Sequence, residues 1–261
     1  MTDAARLPIS AYIRTLNEER MIAEVVRAAS AVADEVIVVD SGSTDATRDL
    51  ARAEGATVID QPWLGNGFQK RAGEEAARND WLLDLDADEI VSEELAASIR
   101  ALFANGAPEG PVYALDLCLQ PPGRKLWRDF FNVPRAKLYD RRRLRMPEHK
   151  AWDQLQGLKP SALTLLDGPL IHHGFADFKQ VVTKMNSVSS VRAREAKMKP
   201  LWQLRLRLVF GFPAYFFKQY IGKKGWKGGM YGFALCAILS LARWLRDAKM
   251  YEAQTDPRNR G

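Results

Sequence analysis

The first hundred residues alternate short apolar runs with longer segments of helical periodicity. The apolar runs at 9–14, 35–39, 56–60 and 81–85 are rich in β-branched residues and predict four strands. The segments between and after them predict helices over about 16–33, 46–55, 69–78 and from Glu93 onward. This repeated strand–helix pattern favours a mostly parallel sheet covered by helices.

Polar residues at the ends of these runs set the predicted helix starts. Thr15-Leu16-Asn17-Glu18 has the spacing of a capping box, and Ser92 precedes two glutamates as a helix N-cap would. Ligands of such sheets bind at the carboxyl ends of the strands. Asp40 and the acidic run 84–89 both occupy that edge.

The second half of the chain has two parts. Strands are predicted at 112–119, 137–139 and 167–173, separated by Arg-rich loops, and a helix is predicted from Phe178 to about Lys199. From there the sequence is rich in aromatic and basic residues. We therefore expect a first domain over residues 1–177 and a helical region over residues 178–261.

The helical region has the composition of a membrane-interface segment. Between residues 192 and 227 it has ten basic residues against one acidic residue, among many Trp, Phe and Tyr side chains. The uncharged stretch 228–242 is shorter than the roughly 20 residues that a spanning helix needs. These features predict binding to an anionic membrane surface. Packing on the first domain, dimerisation and a true span are the alternatives.

Composition and charge narrow the class of protein. Two cysteines cannot form a disulfide framework, and the first residues contain no export signal, so a cytoplasmic location is expected. Residues 1–110 have 10 basic and 21 acidic residues, whereas residues 111–261 have 28 and 11. A basic half suggests an anionic partner such as nucleic acid, lipid or a phosphorylated glycan. The chain contains no recognisable nucleic-acid motif, so we expect no nucleic-acid partner.

The acidic run Asp84-Leu85-Asp86-Ala87-Asp88-Glu89 suggests a metal site. On an extended segment alternate residues face the same side, so Asp84, Asp86 and Asp88 can converge. Converging carboxylates repel one another unless a cation lies among them. Oxygen ligands suit Mg²⁺ or Mn²⁺, which usually complete their shells with substrate phosphates. An acidic loop in solvent is the alternative.

Asp40 reaches the same edge from another strand, followed by Ser41, Ser43 and Thr44. These groups suit a ribose or a base. Neither a dinucleotide-binding glycine fingerprint nor a P-loop is present. The residues therefore favour a nucleotide bound through a metal on its diphosphate.

Three segments carry a resemblance to a known family. ISAYIRTLNEE at 9–19, EVIVVDSGSTD at 35–45 and WLLDLDADE at 81–89 resemble, in this order and spacing, the inverting family-2 glycosyltransferases of GT-A fold. The segment 65–70, GNGFQK, is similar to the bacterial lipopolysaccharide-core glucosyltransferase branch. The resemblance is good over residues 7–100 and looser beyond them.

The resemblance implies roles for individual residues. Asp40 matches the aspartate that contacts uracil and ribose, and Asn17 and Glu18 match an Asn-Glu pair beside the nucleotide pocket. Asp86 and Asp88 match the Asp-x-Asp motif of the metal site. The remaining matches are two basic residues of the donor pocket, Lys70 and Arg71, and a histidine that contacts metal or diphosphate, His172, for which His173 is the rival.

An inverting transfer needs a carboxylate that takes the proton of the acceptor hydroxyl. The family branch often has His-Glu-x-Leu here, and the matching stretch of this chain is Trp152-Asp153-Gln154-Leu155. Asp153 is therefore the predicted base. Glu148, beside His149, is the alternative.

The resemblance implies a metal-dependent enzyme that uses a UDP-hexose, with glucose as the expected sugar. The expected acceptor is a phosphorylated, lipid-linked saccharide at the cytoplasmic face of the inner membrane, the lipopolysaccharide inner core. The alternatives are transfer to a polyprenyl-phosphate or another surface glycan, and an inactive membrane scaffold. The arginine run 141–145 is a candidate for phosphate contacts, with a solvated loop as the alternative.

Overall fold

The computed structural model describes residues 6–150, 152–158 and 163–259. The chain divides into two compact units. The first contains the described residues of Met1–Gln120 and Asn132–Gly174, and the second contains those of Pro121–Phe131 and Phe175–Gly261. We call them the sheet unit and the helical unit.

The sheet unit contains eight strands and four helices within the described residues. The strands are β1 (Leu7–Thr15), β2 (Ala33–Asp40), β3 (Thr57–Asp60), β4 (Trp81–Asp86), β5 (Glu89–Val91), β6 (Val112–Leu119), β7 (Val133–Asp140) and β8 (Thr164–His172). The helices are α1 (Ile22–Ser30), α2 (Thr47–Ala53), α3 (Asn66–Ala76) and α4 (Glu93–Leu102).

All eight strands form one sheet in the order β3-β2-β1-β4-β7-β6-β8-β5. The half from β3 to β4 is parallel, as the strand–helix alternation predicts. Beyond β4 the sheet is mixed, because β7 runs antiparallel to both β4 and β6 while β6 and β8 are parallel. The mixed α/β architecture with flanking helices confirms the predicted fold class.

The central strands are apolar on both faces. Ile9, Ala11 and Ile13 of β1 are fully buried against one set of helices, and Tyr12 is fully buried on the other face. A strand covered on both sides reads as a nearly continuous apolar run, which is why β1, β2 and β4 are visible in the sequence.

The predicted capping box is wrong. Thr15 is the last residue of β1, paired with Asp40, and is not a helix cap. Asn17 then takes a left-handed conformation with φ 53°, and α1 begins at Ile22 with no side-chain cap on Met21. By contrast Ser92 caps α4 as predicted, because its hydroxyl accepts the Leu95 N–H at 3.1 Å.

The helical unit contains α5 (Phe178–Glu195), α6 (Leu201–Phe217) and α7 (Gly229–Thr255). Helix α7 packs against both α5 and α6. Its 27 residues exceed the 15 uncharged residues of the sequence pattern, because the helix continues through Arg243 and Asp247. By length and composition Gly225–Thr255 is the one helical segment of the described chain that could cross a membrane.

Candidate active site

Three parallel strands end at one edge of the sheet. Strand β1 lies between β2 and β4, with Thr15 opposite Asp40 and Arg14 opposite Asp86. Since the carboxyl ends of parallel strands share an edge, the two acidic positions that the sequence singles out lie on either side of β1.

Asp40 organises the loop that follows β2. Its carboxylate is fully buried and accepts the N–H groups of Gly42 and Ser43 at 3.0 and 2.8 Å, and the Ser43 hydroxyl at 2.5 Å. Gly42 takes φ 100°, a conformation that glycine adopts without strain. Asp40 therefore fixes the backbone of the 41–45 loop.

Asn17 and Glu18 contact the same loop from the end of β1. The Asn17 N–H donates to the Ser43 hydroxyl at 2.8 Å, and its side-chain oxygen accepts the Thr44 N–H at 2.9 Å. The Glu18 N–H donates to the Thr47 hydroxyl at 2.8 Å. The structure thus brings the predicted nucleotide-side residues Asn17, Glu18 and Asp40 together around one loop.

A cavity of about 620 Å³ opens beside β4 within the sheet unit. Four predicted site residues line it: Lys70, Asp86, Asp153 and His172. Three further charged residues of the lining, Glu89, Arg135 and Lys137, have no predicted role, and Asp84 is one of the carboxylates predicted to converge. Apolar residues from β6, β7, β8 and the 154–158 segment form the rest of the wall.

Lys70 neutralises the end of β4. It is buried, with Nζ 2.8 Å from Asp84 Oδ2 and 3.6 Å from Asp86 Oδ1. Burial opposes ionisation of Asp86, but Lys70, Lys137 and Arg14 more than offset it and hold its pKa well below the usual range. Asp86 is therefore an anion at every physiological pH. Asp84 Oδ1 is buried without a hydrogen-bond partner.

Lys137 holds the next turn. Its ammonium donates to Glu89 Oε2 at 2.7 Å and to the Asp84 carbonyl at 3.2 Å, and Glu89 in turn accepts the Asp86 N–H at 2.9 Å. Burial opposes the charge on Lys137, but Asp84, Glu89 and Asp86 outweigh it and raise its pKa. The acidic run is thus a folded turn with buried counter-ions, which excludes a solvated acidic loop.

Arg14 is a central residue that the sequence analysis missed. Its guanidinium donates to Asp86 Oδ1 at 2.8 Å, to Asp153 Oδ2 at 3.2 Å and to the Asn66 side chain at 2.7 Å. It therefore joins the predicted metal motif to the predicted base. The sequence feature that could have identified Arg14 is its position near the carboxyl end of an otherwise apolar strand, next to the acidic edge.

Asp88 and His172 form a pair at the cavity. His172 Nε2 lies 3.4 Å from Asp88 Oδ2. Burial disfavours the imidazolium, but the hydrogen bond and charge of Asp88 prevail and raise the pKa of His172. His173, the rival, does not line the cavity, and burial lowers its pKa.

The residues of this pair are suited to a divalent cation. A carboxylate oxygen and an imidazole nitrogen are both ligands of Mn²⁺, and carboxylates suit Mg²⁺. Within the described chain no group of three or more acidic, His or Cys side chains is assembled as a metal cage. Two protein ligands fit a cation that takes its remaining ligands from a diphosphate and water.

The two candidate bases differ in their surroundings. Asp153 lines the cavity and its side chain is 26% exposed. Glu148 is 60% exposed, is not part of the cavity wall, and lies 4.0 Å from Arg71. Arg71 donates to Glu74 at 3.3 Å and, like Glu148, does not line the cavity.

Two glycines let the loop before Asp153 pack against α3. The Asn66 and Gly67 N–H groups each donate at 2.9 Å to carbonyls of the 147–152 loop. A Cβ on Gly67 would lie 2.3 Å from the Pro147 carbonyl oxygen and 2.4 Å from that of Trp152. The Gly-x-Gly pattern at 65–67 therefore reflects a close backbone approach.

The arginines of the run 141–145 make hydrogen bonds and ion pairs within the sheet unit, and their contact with phosphate stays a prediction. Arg141 donates to the Glu74 and Ala77 carbonyls at the end of α3. Arg142 pairs with Asp140, and Arg145 pairs with the buried Glu74. These guanidinium groups stabilise the end of α3 and the turn after β7.

A mixed sheet with flanking helices and an acidic turn at one strand edge agrees with the GT-A fold that the sequence resemblance implies. The sequence model "Glycosyl transferase family 2" matches residues 10–161. The chain therefore belongs to glycosyl transferase family 2 and is a glycosyltransferase, which confirms the resemblance seen in the sequence.

Relatives extend over almost the whole chain. An "Uncharacterized glycosyltransferase" of Rickettsia typhi is 32% identical over 260 residues, covering 96% of this chain and 89% of that protein. The "Lipopolysaccharide core biosynthesis glycosyltransferase LpsC" of Rhizobium meliloti is 26% identical, covering 95% of this chain and 93% of that protein. The similarity thus includes the helical unit.

Among solved structures, glucosyl-3-phosphoglycerate synthase of Mycobacterium tuberculosis, solved with Mn²⁺, UDP and glucosyl-3-phosphoglycerate, is 29% identical over 44% of each chain, with a TM-score of 0.33. A TM-score this low supports no conclusion about this chain.

Proposed function

We propose that the enzyme transfers a hexose, glucose being the expected one, from a UDP-sugar to a phosphorylated, lipid-linked saccharide with inversion at the anomeric carbon. One observation carries the catalytic part. A single cavity at the strand edge is lined by Lys70, Asp86, His172 and Asp153. It combines groups for the diphosphate of a donor with a carboxylate for an acceptor hydroxyl.

Asp153 is the proposed general base. The acceptor oxygen forms a bond to the anomeric carbon while the bond from that carbon to the UDP oxygen breaks, and UDP leaves with the electron pair. The acceptor proton passes to the Asp153 carboxylate. Arg14, at 3.2 Å, orients this carboxylate.

Asp88 and His172 are the proposed protein ligands of Mg²⁺ or Mn²⁺. Such an ion stabilises the negative charge that develops on a diphosphate leaving group. Asp86 is the third predicted ligand, and its 2.8 Å ion pair with Arg14 would have to be exchanged for metal contact. Lys70 and Lys137 keep the turn that carries these residues folded and charged.

The 41–45 loop is the proposed nucleoside site. Asp40 fixes the backbone of this loop, and the exposed Asn17 accepts the Thr44 N–H of the loop. Contact of Asp40 with a uracil or ribose would replace one of its loop hydrogen bonds. Arg71, 4.0 Å from Glu148, is proposed to border the donor pocket.

A thermal-shift titration tests the donor site. The protein is heated with UDP, GDP, CDP or dTDP, each with Mn²⁺, Mg²⁺ or EDTA. A ligand at 100 times its Kd stabilises the folded state by about 2.7 kcal/mol. We expect stabilisation by UDP with a metal ion and none in EDTA. Stabilisation by UDP that survives EDTA would contradict the metal role, and no stabilisation by any nucleotide would overturn the donor site.

The acceptor and location rest on the helical unit and on LpsC, whose name places it in lipopolysaccharide core biosynthesis. Helix α6 buries Leu204 and Gly211 on one side, while four large apolar residues of the opposite side are more than half exposed: Trp202, Leu206, Val209 and Phe210. Exposed lysines follow at 218–227. An apolar helix face beside lysines fits an anionic bilayer surface, so we propose a peripheral position at the inner membrane.

Vesicle sedimentation tests this surface. Replacing Trp202 and Phe210 by serine should release the protein from vesicles that contain phosphatidylglycerol, with UDP binding unchanged. The control replaces Trp63 and Leu64, which are similarly exposed in the sheet unit. Equal binding of both variants and the wild type would overturn the proposed membrane face.

A further inference from the structure

A second charged cluster lies in the helical unit, around Asp247 of α7. The Asp247 side chain is fully buried. It accepts hydrogen bonds from Arg207 Nε of α6 at 2.9 Å, from Arg246 at 2.8 Å and from the Tyr215 hydroxyl at 2.8 Å. These bonds join α6 to α7.

Two further cations lie beside these bonds. Lys199 Nζ lies 4.0 Å from Asp247 Oδ1, and the Arg243 guanidinium lies 5.0 Å from the centre of the Tyr215 ring. In the described part of the chain, the ion pairs of Lys199, Arg207 and Arg246 all lead to Asp247. Three positive charges therefore share one negative charge, and the fourth, on Arg243, lies against Tyr215.

Three of the four cations are half-buried. The side chains of Lys199, Arg207 and Arg246 are 16–27% exposed. Burial, followed by the charges of Arg246, Arg207 and Arg243, lowers the pKa of Lys199 despite Asp247. Repulsion among neighbouring cations is relieved when an anion joins them.

We propose that Lys199, Arg207, Arg243 and Arg246 form a binding site for the phosphate group of an anionic ligand. A guanidinium has five N–H donors, so Asp247 and Tyr215 leave donors for further oxygens. Arginine forks match the tetrahedral oxygens of phosphate, and lysine adds a mobile point charge. Asp247 positions Arg207 and Arg246, which donate hydrogen bonds to it, for this ligand.

Every residue of the site belongs to the helical unit, and none of them lines the donor cavity. The proposal therefore does not depend on UDP or metal binding. The phosphate can belong to a lipid headgroup or to a soluble or saccharide phosphate, and the two sources are separated by experiment.

The test removes the two cations that make no hydrogen bond to Asp247. Lys199→Gln with Arg243→Gln lowers the positive charge by two and leaves the Arg207 and Arg246 bonds intact. The matched control is Arg192→Gln with Lys197→Gln, which removes one arginine and one lysine that are exposed in the same unit. Thermal unfolding of both variants checks that the helical unit is folded.

Two probes are used. Sedimentation with phosphatidylcholine vesicles that contain phosphatidic acid measures headgroup binding, and thermal shift with inorganic pyrophosphate measures soluble phosphate binding. Loss of one positive charge weakens binding about fivefold, so the double variant should bind its probe about 25-fold more weakly than the wild type. The affinity of the control should fall much less. Pyrophosphate binding in the donor cavity is common to all three proteins and cancels in the comparison.

A loss confined to vesicles assigns the site to a lipid headgroup, and a loss with pyrophosphate assigns it to a soluble phosphate group. Equal binding by the double variant and its control on both probes would overturn the proposal. UDP stabilisation is measured on the same samples, so failure of the donor site would be seen separately.

Discussion

The two charged clusters of the molecule have opposite compositions. In the ion-pair network at the acidic turn, four carboxylates meet three cations: Asp84, Asp86, Glu89 and Asp153 with Arg14, Lys70 and Lys137. In the helical unit one carboxylate, Asp247, pairs with three cations, and a fourth, Arg243, lies against Tyr215. The first cluster has an excess of acid and the second an excess of base.

The difference indicates the sign of the charge that each cluster would bind. In the network at the acidic turn each cation pairs with a carboxylate at 2.7–2.8 Å, and the remaining negative charge suits a cation. In the helical unit Arg207 and Arg246 suffice to neutralise Asp247, and Lys199 and Arg243 are left for a ligand. Charge composition thus distinguishes the proposed metal and donor site from the proposed phosphate site.

The largest expected effect is on transfer. Asp153→Asn keeps the size of the side chain but removes its basicity, so we expect transfer to fall by about 10²- to 10⁴-fold. UDP binding should be unchanged, as measured by thermal shift. The matched control is Glu148→Gln. If Glu148→Gln abolishes transfer and Asp153→Asn does not, Glu148 is the base.

The second prediction compares Lys137, which is buried, with Lys199, which is half-buried. Lys137→Gln leaves Glu89 and Asp84 short of a counter-ion in the interior and should lower the free energy of unfolding by about 3–5 kcal/mol. Lys199→Gln removes a surplus charge and should change it by about 0.5 kcal/mol or less. Urea unfolding measures both. Equal losses would refute the contrast between the clusters.

The third prediction concerns the loop that positions the base. Gly67→Ala should push the 147–152 loop away from α3 and reduce transfer about 100-fold, because a misplacement of about 1 Å has that effect. Gly222→Ala is the control, since a Cβ there meets nothing within 4 Å. Rates of transfer and thermal unfolding separate misplacement from loss of fold. An unchanged rate for Gly67→Ala would contradict the close approach.

The smallest expected effect is a pH dependence in the helical unit. Burial opposes the charge on Asp247, but Arg246, Tyr215 and Arg207 prevail and lower its pKa. Its stabilisation is present above the unfolded value of about 3.9 and is lost as the pH falls through the lowered folded value. Asp247→Asn should therefore cost about 2 kcal/mol at neutral pH, and the difference should shrink below about pH 4. A pH-independent difference would contradict this assignment.

Much of the sheet could be predicted because its strands are apolar on both faces. The central strands and β6 are visible as nearly continuous apolar runs, and Ser92 marks the start of α4. The short strand β5 was not predicted, because Glu89, its first residue, continues the acidic run 84–89. Thr15-x-x-Glu18 has a helix-cap spacing, but pairing with Asp40 keeps Thr15 in the strand.

The structure brings predicted residues of contiguous motifs into one cavity, whereas contacts between residues distant in sequence were not predicted. Asp86 was identified from the acidic run, and Lys70 from the family resemblance. Arg14 and Lys137 were not, because their partners lie up to 139 residues away and no local pattern marks them. The Asp247 cluster was missed for the same reason, since its cations come from several helices and turns.

The backbone contact between α3 and the 147–152 loop has an evolutionary consequence. Main-chain carbonyls and N–H groups fix the approach to Asp153, while the Trp152 side chain is 61% exposed and is not needed for it. Any residue can supply those carbonyls. The side chain before the proposed base is therefore not part of this contact, so Trp152 can replace the histidine of the family pattern without displacing Asp153.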